Sequence, residues 1–229
     1  LRTHTPMTYG DFVADETGRQ RYWARSHLGW RTIARAAPND GHRAVAALQA
    51  RGYLSGVITQ NVDGLHQAAG ARDVIELHGS LHHVTCLDCG GTESRAAIQM
   101  LLEGGNPALL AHATAPATAA PDGDAQLESG YDAFAIPQCP GCGGTLMPDV
   151  VFFGGNIPRA RVEAAYAALD AADAMLVVGS SLAVYSGYRL CERAARRPRG
   201  SDHHSAARAG DLQERLSGSG NGVARRRGA

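Results

Sequence analysis

The chain has 229 residues, 44% of them hydrophobic, with 22 basic residues balanced by 22 acidic ones. That length suits one or two domains with a substantial core, and balanced charge gives no argument for a nucleic-acid or membrane-surface binder. No apolar run approaches the ~20 residues of a membrane-spanning helix, and the first residues carry no signal-peptide pattern.

Residues 1–9 are polar with a proline and read as a loop entering a helix. The opening residue is Leu1 rather than methionine, so we expect a fragment with any upstream targeting segment out of view. Residues 19–36 are predicted helical, with Tyr22, Trp23, Leu28, Trp30 and Ile33 packing inward or lining a cleft. Pro38, Asn39 and Asp40 supply turn and cap chemistry for an amphipathic helix over 42–50, which Gly52 ends. His42 belongs on its surface and is assigned no chemistry.

A strand over 54–59 runs into Gln60, Asn61 and Asp63; a short helix over 63–69 is closed by Gly70; a second strand over 74–77 runs into His78 and Gly79. Strand, polar loop, helix, strand is the grammar of an α/β sheet, whose ligands sit beyond the carboxyl ends of its strands. Two amides, a carboxylate and an imidazole would then meet at one rim, able to orient a polar ligand and move a proton. Taken separately, each cluster also reads as an ordinary turn or strand-end cap.

Four of the five cysteines fall in two Cys-x-x-Cys-Gly-Gly strings, Cys86/Cys89 and Cys139/Cys142. This is zinc-knuckle spacing, and four thiolates leave no open coordination position, so the metal would be structural. Two redox pairs, or unrelated buried cysteines, are the other readings. Thiols at metal spacing suit a reducing compartment better than disulfides do. Between the knuckles, 92–103 is predicted helical, and 111–130 is an Ala/Pro/Gly/Asp-rich loop to which we assign no function. Cys191 stands alone on a predicted helix and reads as a small buried residue.

A strand over 149–153 ends in Gly154-Gly155, with Val151 and Phe153 on one face. A helix over 159–172 leads to residues 174–178, AMLVV, a predicted buried parallel strand opening into Gly179, Ser180 and Ser181. A strand ending in Gly-Ser-Ser can bring backbone and hydroxyl donors to a ribose or phosphate, though the pattern alone is common. A helix containing 188–196 follows. Residues 198–229 have the composition of a disordered tail; we expect an aberrant or frame-shifted end, and His203-His204 belongs to that solvated tail.

The string TQNVDGLHQAAG at 59–70 followed by ELHGS at 76–80 resembles the core signature of the sirtuins, NAD-dependent protein deacylases. The resemblance covers roughly residues 1–197. THTPMTYGDF, RQRYWARSHLGW and Pro121-Asp122-Gly123-Asp124 are similar to the branch containing the mitochondrial ADP-ribosylating and lipoamide-removing sirtuin. It implies an α/β fold: an incomplete Rossmann-like parallel sheet lacking its first and last strands, built from 1–81 and 145–197 with a helical module near 8–37, and a smaller zinc-binding module over 82–144.

The same resemblance implies residue roles. His78 would act as general base, while Gln60, Asn61 and Asp63 orient the nicotinamide and ribose. Gly179, Ser180 and Ser181 would hold the other side of the cofactor, and Cys86, Cys89, Cys139 and Cys142 would bind zinc. Val151, Phe153 and Gly154 would pair with an extended substrate peptide; from the residues alone this segment reads as a plain buried strand. Gly155 stands where the family usually has an acidic residue.

The implied reaction transfers an acyl group from protein lysine to ADP-ribose and releases nicotinamide. Protein ADP-ribosyl transfer, or a catalytically inactive zinc-bearing fragment, are the alternatives. The implied partner is an acylated-lysine protein or peptide, with no nucleic acid and no membrane. A cytoplasmic setting is expected from the Ala/Arg/Gly-rich composition, which suggests a GC-rich bacterial genome.

Overall fold

A computed structural model describes residues 6–107 and 131–196, and the chain divides into two compact units, residues 1–158 and 159–229.

The first unit begins with two capped helices. α1, Tyr9–Ala14, starts in a capping box: the Asp11 N–H donates to Thr8 Oγ1 at 3.1 Å while the Asp11 carboxylate accepts from the Thr8 N–H. α2, Glu16–Ile33, starts three residues before the predicted helix because the Asp15 carboxylate accepts from the Gly18 N–H at 2.7 Å. The two helices meet through Phe12 and Tyr22, edge to face at 5.4 Å, and Trp23 is wholly buried beside them. α3, Asp40–Ala50, is opened by an Asn39–His42 capping box, so His42 caps the helix rather than merely lying on it.

β1, Val57–Thr59, and β2, Val74–Glu76, are parallel, with Val57 opposite Val74 and Thr59 opposite Glu76. α4, Leu65–Ala68, lies between them in sequence. This is the α/β unit expected from the sequence, its strands shorter than the apolar runs because only these residues pair.

Two of the next three strands, Gly79–Cys86 and Thr92–Ser94, were not anticipated. β3, Gly79–Cys86, is the centre of a three-stranded antiparallel sheet, between β4, Thr92–Ser94, and β5, Leu146–Val150. Adjacent His82 and His83 break the apolar alternation that marks a half-buried strand, yet Leu81, Val84 and Cys86 are buried. Pairing with β3 also claims residues 92–94 from the predicted helix. α5, Arg95–Gly105, therefore begins at the Ser94 cap, whose Oγ accepts from the Ala97 N–H at 3.1 Å. The strand predicted over 149–153 sits at 146–150. Beyond it Phe153 makes only an isolated parallel bridge to Thr8, its carbonyl accepting from the Tyr9 N–H at 2.9 Å. The core joins Phe12, Trp23, Ile98, Leu102, Leu146 and Phe152.

In the second unit, α6, Arg159–Ala171, packs on α7, Tyr185–Arg196. Arg193 bonds the Asp170 carboxylate, Nε to Oδ1 at 2.9 Å, and lies 4.4 Å over the Tyr166 ring. Residues 174–178, predicted as a buried parallel strand, pair with no other described strand, and Leu176 and Val178 are 59% and 73% exposed. An apolar run becomes a buried strand only when neighbouring strands satisfy its backbone groups and layers cover its faces; the described part of this unit supplies two helices and no strand.

The predicted loop at 111–130 and the predicted tail at 198–229 lie outside the described residues. Among those described, no helix is long and apolar enough to cross a membrane.

Candidate functional site

The parallel register puts the carboxyl ends of β1 and β2 on the same edge, since Thr59 is level with Glu76. The Leu77 N–H carries the pairing one step further, to the Thr59 carbonyl at 2.8 Å. Gln60, Asn61 and Asp63 leave β1 at this edge and His78 leaves β2 there. The loop after β1 is tied at successive positions. The Asn61 N–H donates to Thr59 Oγ1 at 3.1 Å, the Leu81 N–H to the Val62 carbonyl at 2.8 Å, and the Leu65 N–H to Asp63 Oδ1 at 3.0 Å. Asp63 thus anchors the first turn of α4 with its carboxylate. The His78 carbonyl accepts from the Val151 N–H at 2.9 Å, so this residue stands where the parallel pair hands over to the antiparallel sheet. Gln60, Asp63 and His78 are half-buried and Asn61 is exposed. A cleft beside the loop is lined by Ile33, Asp63, Gly64, Glu76, Ser80 and His82; Gln60, Asn61 and His78 are not part of that lining.

His82 was not singled out from the sequence. Its Nε2 lies 3.0 Å from the Asp63 carbonyl oxygen, and its ring meets Trp30 edge to face at 5.4 Å. A side chain on Gly64, whose φ is +68°, would meet that imidazole at 3.1 Å. Nothing local marks this histidine: its partner is 19 residues upstream, and its strand was itself unforeseen.

The four cysteines predicted to bind zinc come together, all their sulfurs within 4.8 Å of one another. Cys86 and Cys142 sulfurs are 3.6 Å apart, and those of Cys89 and Cys139 3.8 Å. Zn–S bonds of about 2.3 Å in a tetrahedron place the sulfurs about 3.8 Å apart, so the donor set fits the metal; disulfides, with S–S near 2.05 Å, are excluded. The knuckles repeat one hydrogen-bond pattern. Gly90 N–H donates to the Cys86 carbonyl at 3.0 Å and Cys86 N–H to the Gly91 carbonyl at 2.8 Å. Gly143 likewise donates to Cys139 at 2.8 Å, and Cys139 to Gly144 at 2.9 Å. Gly90 and Gly143 have φ of +71° and +74°, the left-handed turn that glycine adopts without strain. The Cys86 thiol is drawn down to about 7, chiefly by the Cys89 backbone N–H. At Cys142 the Gly144 N–H favours the thiolate, but the crowded sulfurs of Cys89 and Cys86 outweigh it and push the thiol up to about 12. Four sulfurs so close cannot all ionise without a cation among them.

Gly179, Ser180 and Ser181 belong to the second unit. The Leu182 N–H donates to Ser180 Oγ at 3.2 Å and the Ala183 N–H to Ser181 Oγ at 3.4 Å, local turns that lead into α7. In the proposed peptide segment Val151 is half-buried, Phe153 is 61% exposed and Gly154 has φ +76°. The Val151 N–H and the Phe153 carbonyl are already committed to His78 and Tyr9. Cys191 is buried, and burial pushes its thiol up.

Comparison with known proteins places these features in a wider set. The model of the Sir2 family matches residues 4–186. A protein of Xanthomonas campestris pv. campestris (strain 8004) named NAD-dependent protein deacetylase is 55% identical over 192 residues, covering 83% of this chain and 64% of the relative. NAD-dependent protein deacetylase 1 of Streptomyces coelicolor is 53% identical over 198 residues, 85% of this chain and 64% of that protein. The chain thus spans about 64% of the length of these curated relatives. Among solved structures, one described as "The Structural basis for Sirtuin Substrate affinity" aligns with a TM-score of 0.63 at 27% identity, covering 83% of this chain and 68% of the other. One described as "Sir2-p53 peptide-NAD+" aligns with a TM-score of 0.61 at 28% identity, covering 83% and 66%.

Proposed function

The chain belongs to the Sir2 family, and from that premise we propose that it serves an NAD-dependent protein-lysine deacylase, which moves the acyl group to ADP-ribose and releases nicotinamide. The observation that carries the reading is the shared rim: the parallel register of Thr59 with Glu76 sets the Gln60–Asn61–Asp63 loop and His78 at one strand edge. The relatives' names and the NAD and peptide named with a solved neighbour support the same conclusion.

NAD, when bound, supplies an ADP-ribosyl group with nicotinamide as its leaving group. Gln60, Asn61 and Asp63 orient the nicotinamide and its ribose. His78 accepts a proton from a ribose hydroxyl as general base, through a ring nitrogen. Gly179, Ser180 and Ser181 hold the remainder of the dinucleotide. Val151, Phe153 and Gly154 receive the substrate peptide in extended form; the exposure of Phe153 supports this. The acyl-lysine substrate is a separate protein or peptide. Cys86, Cys89, Cys139 and Cys142 would hold a structural zinc that ties β3 to the turn before β5, and β3 begins immediately after His78. In this reading residues 1–81 with 145–197 serve the cofactor and 82–144 the metal. A cytoplasmic setting belongs to the same proposal, because the four-thiol cluster suits a compartment that keeps thiols reduced.

The test is nicotinamide release from NAD and a panel of acyl-lysine peptides by zinc-loaded protein, beside His78→Ala. We expect release in the wild type and a loss of about 10²–10⁴-fold in the variant. Undiminished release by His78→Ala, or none from folded, zinc-containing wild type, would overturn the reading.

A further inference from the structure

We propose that His82 is a positioning residue for the cofactor loop, holding residues 60–64 through its bond to the Asp63 carbonyl while Trp30 fixes its ring. The part of this inference that concerns NAD rests on the function proposed above; the part that concerns the loop does not.

The donor is unambiguous, because a carbonyl oxygen can only accept: the proton lies on Nε2 of His82, 3.0 Å from Asp63 O. The bond survives protonation of the other ring nitrogen, since imidazolium donates from both. It adds to the Leu81 N–H on the Val62 carbonyl, so two successive carbonyls of the loop are held by two successive residues of β3. Asp63 is also fixed from the other side by the Leu65 N–H on its carboxylate. The ring has a backstop. Trp30 meets it edge to face, and Trp30 in turn lies under the Arg95 guanidinium at 4.9 Å, with Arg95 only 2% exposed and bonded to Ser26 and Gln99. The absence of a side chain at Gly64 permits the approach. A rigid stack thus runs from the first turn of α5 through α2 to the loop after β1, and His82 is the member that touches the loop. A loop that must be ordered before it binds loses affinity by the fraction of time it is out of shape, so its anchor should act on binding rather than on the chemical step.

His82→Phe keeps a ring against Trp30 but removes the donor; His82→Gln returns an amide donor at similar reach. Both are compared with wild type in the zinc-loaded chain by amide hydrogen exchange over residues 60–66 and by steady-state kinetics. In His82→Phe we expect loop exchange and the KM for NAD each to rise about three- to tenfold, the effect of one lost hydrogen bond. Then kcat stays within about twofold, the KM for peptide and the zinc content stay unchanged, and His82→Gln recovers most of the loss. Wild-type exchange and KM in His82→Phe, a fall in kcat alone, or a Gln variant no better than Phe would overturn the inference. If wild type releases no nicotinamide, the functional reading fails separately and exchange alone decides: faster loop exchange in Phe, slowed again in Gln, upholds the anchor, and unchanged exchange removes it.

Discussion

The guanidinium of Arg95 lies 4.9 Å over the ring of Trp30, buried to 2% exposure. It also sits 5.6 Å from the Trp23 ring. Its Nη2 donates to the carbonyl and Oγ of Ser26, each at 3.2 Å, and its Nη1 to Gln99 Oε1 at 2.8 Å. Burial pushes its pKa down to about 10, so it remains charged at neutral pH. A desolvated cation between two indoles therefore ties α5 to α2, an arrangement worth about 2 kcal/mol from the cation–π contact.

Arg95→Ala removes the cation, leaves Ser26 and Gln99 short of a partner and opens a cavity. The expected cost is about 2–4 kcal/mol of unfolding free energy. Arg95→Lys keeps the charge but loses the planar fork that stacks and bonds together, and should fall between wild type and alanine. Urea unfolding of the three proteins measures this; equal midpoints would show that the box contributes nothing.

Removing the metal should loosen the β3–β5 sheet. Elemental analysis is expected to find one zinc per chain, and Cys142→Ser to lose it. A strong chelator should lower the thermal midpoint by roughly 10 °C or more, because a structural zinc site contributes folding free energy directly. Zinc-free protein with an unshifted midpoint would contradict a structural role.

Gly64→Ala should be destabilising by about 1–3 kcal/mol. The left-handed φ of +68° strains any side chain, and the new Cβ would press the His82 ring at 3.1 Å. A thermal melt reads the loss. Pairing it with His82→Ala tests the cause: the cost of Gly64→Ala should shrink when the ring is gone.

Acid should weaken the fold through His27. Its imidazole is pushed below the usual range, first by burial and then by the Arg95 charge, with Glu103 opposing and Arg31 assisting. Nδ1 lies 2.9 Å from the Gln99 amide nitrogen, so it accepts and Nε2 carries the proton, buried without a partner among the described residues. The unfolded histidine titrates near 6.5. The unfolded chain therefore binds the proton more readily, and this stabilisation is complete above pH 6.5 and lost as pH falls toward the lowered folded value. His66 acts in the same direction, pushed down by burial and then by His42. His27→Asn keeps an acceptor for Gln99 and removes the titration; its stability should fall less between pH 7.5 and pH 5 than that of wild type, by up to about 1 kcal/mol per pH unit. Identical slopes would clear His27.

How far the sequence could be read followed from the range of each interaction. The helix starts at Thr8, Asp15 and Asn39 all depend on bonds three residues long, yet only the cap chemistry around Asn39 was read from the sequence; the caps at Thr8 and Asp15 were missed. The knuckles are equally local within each Cys-x-x-Cys, so zinc could be named before the two halves were seen to meet. β3 was missed because its identity lies in two partners, one of them sixty or more residues away in the chain. The opposite error occurred at 174–178, where five apolar residues suggested a buried strand and no described strand stands beside them.

The chain alone therefore determined the family resemblance, the α/β grammar, the four metal ligands and the residues at the strand ends, because short strings of side chains encode caps, turns and ligand spacing. Tertiary structure decided what those strings rest on: the antiparallel sheet centred on β3, the meeting of Cys86 with Cys142, the Arg95–Trp30–His82 stack and its grip on Asp63. Apart from the β3–β4 pairing, each of these joins residues 19 or more positions apart, and such a contact exists only once the packing of the whole unit has brought its two partners within a few ångströms.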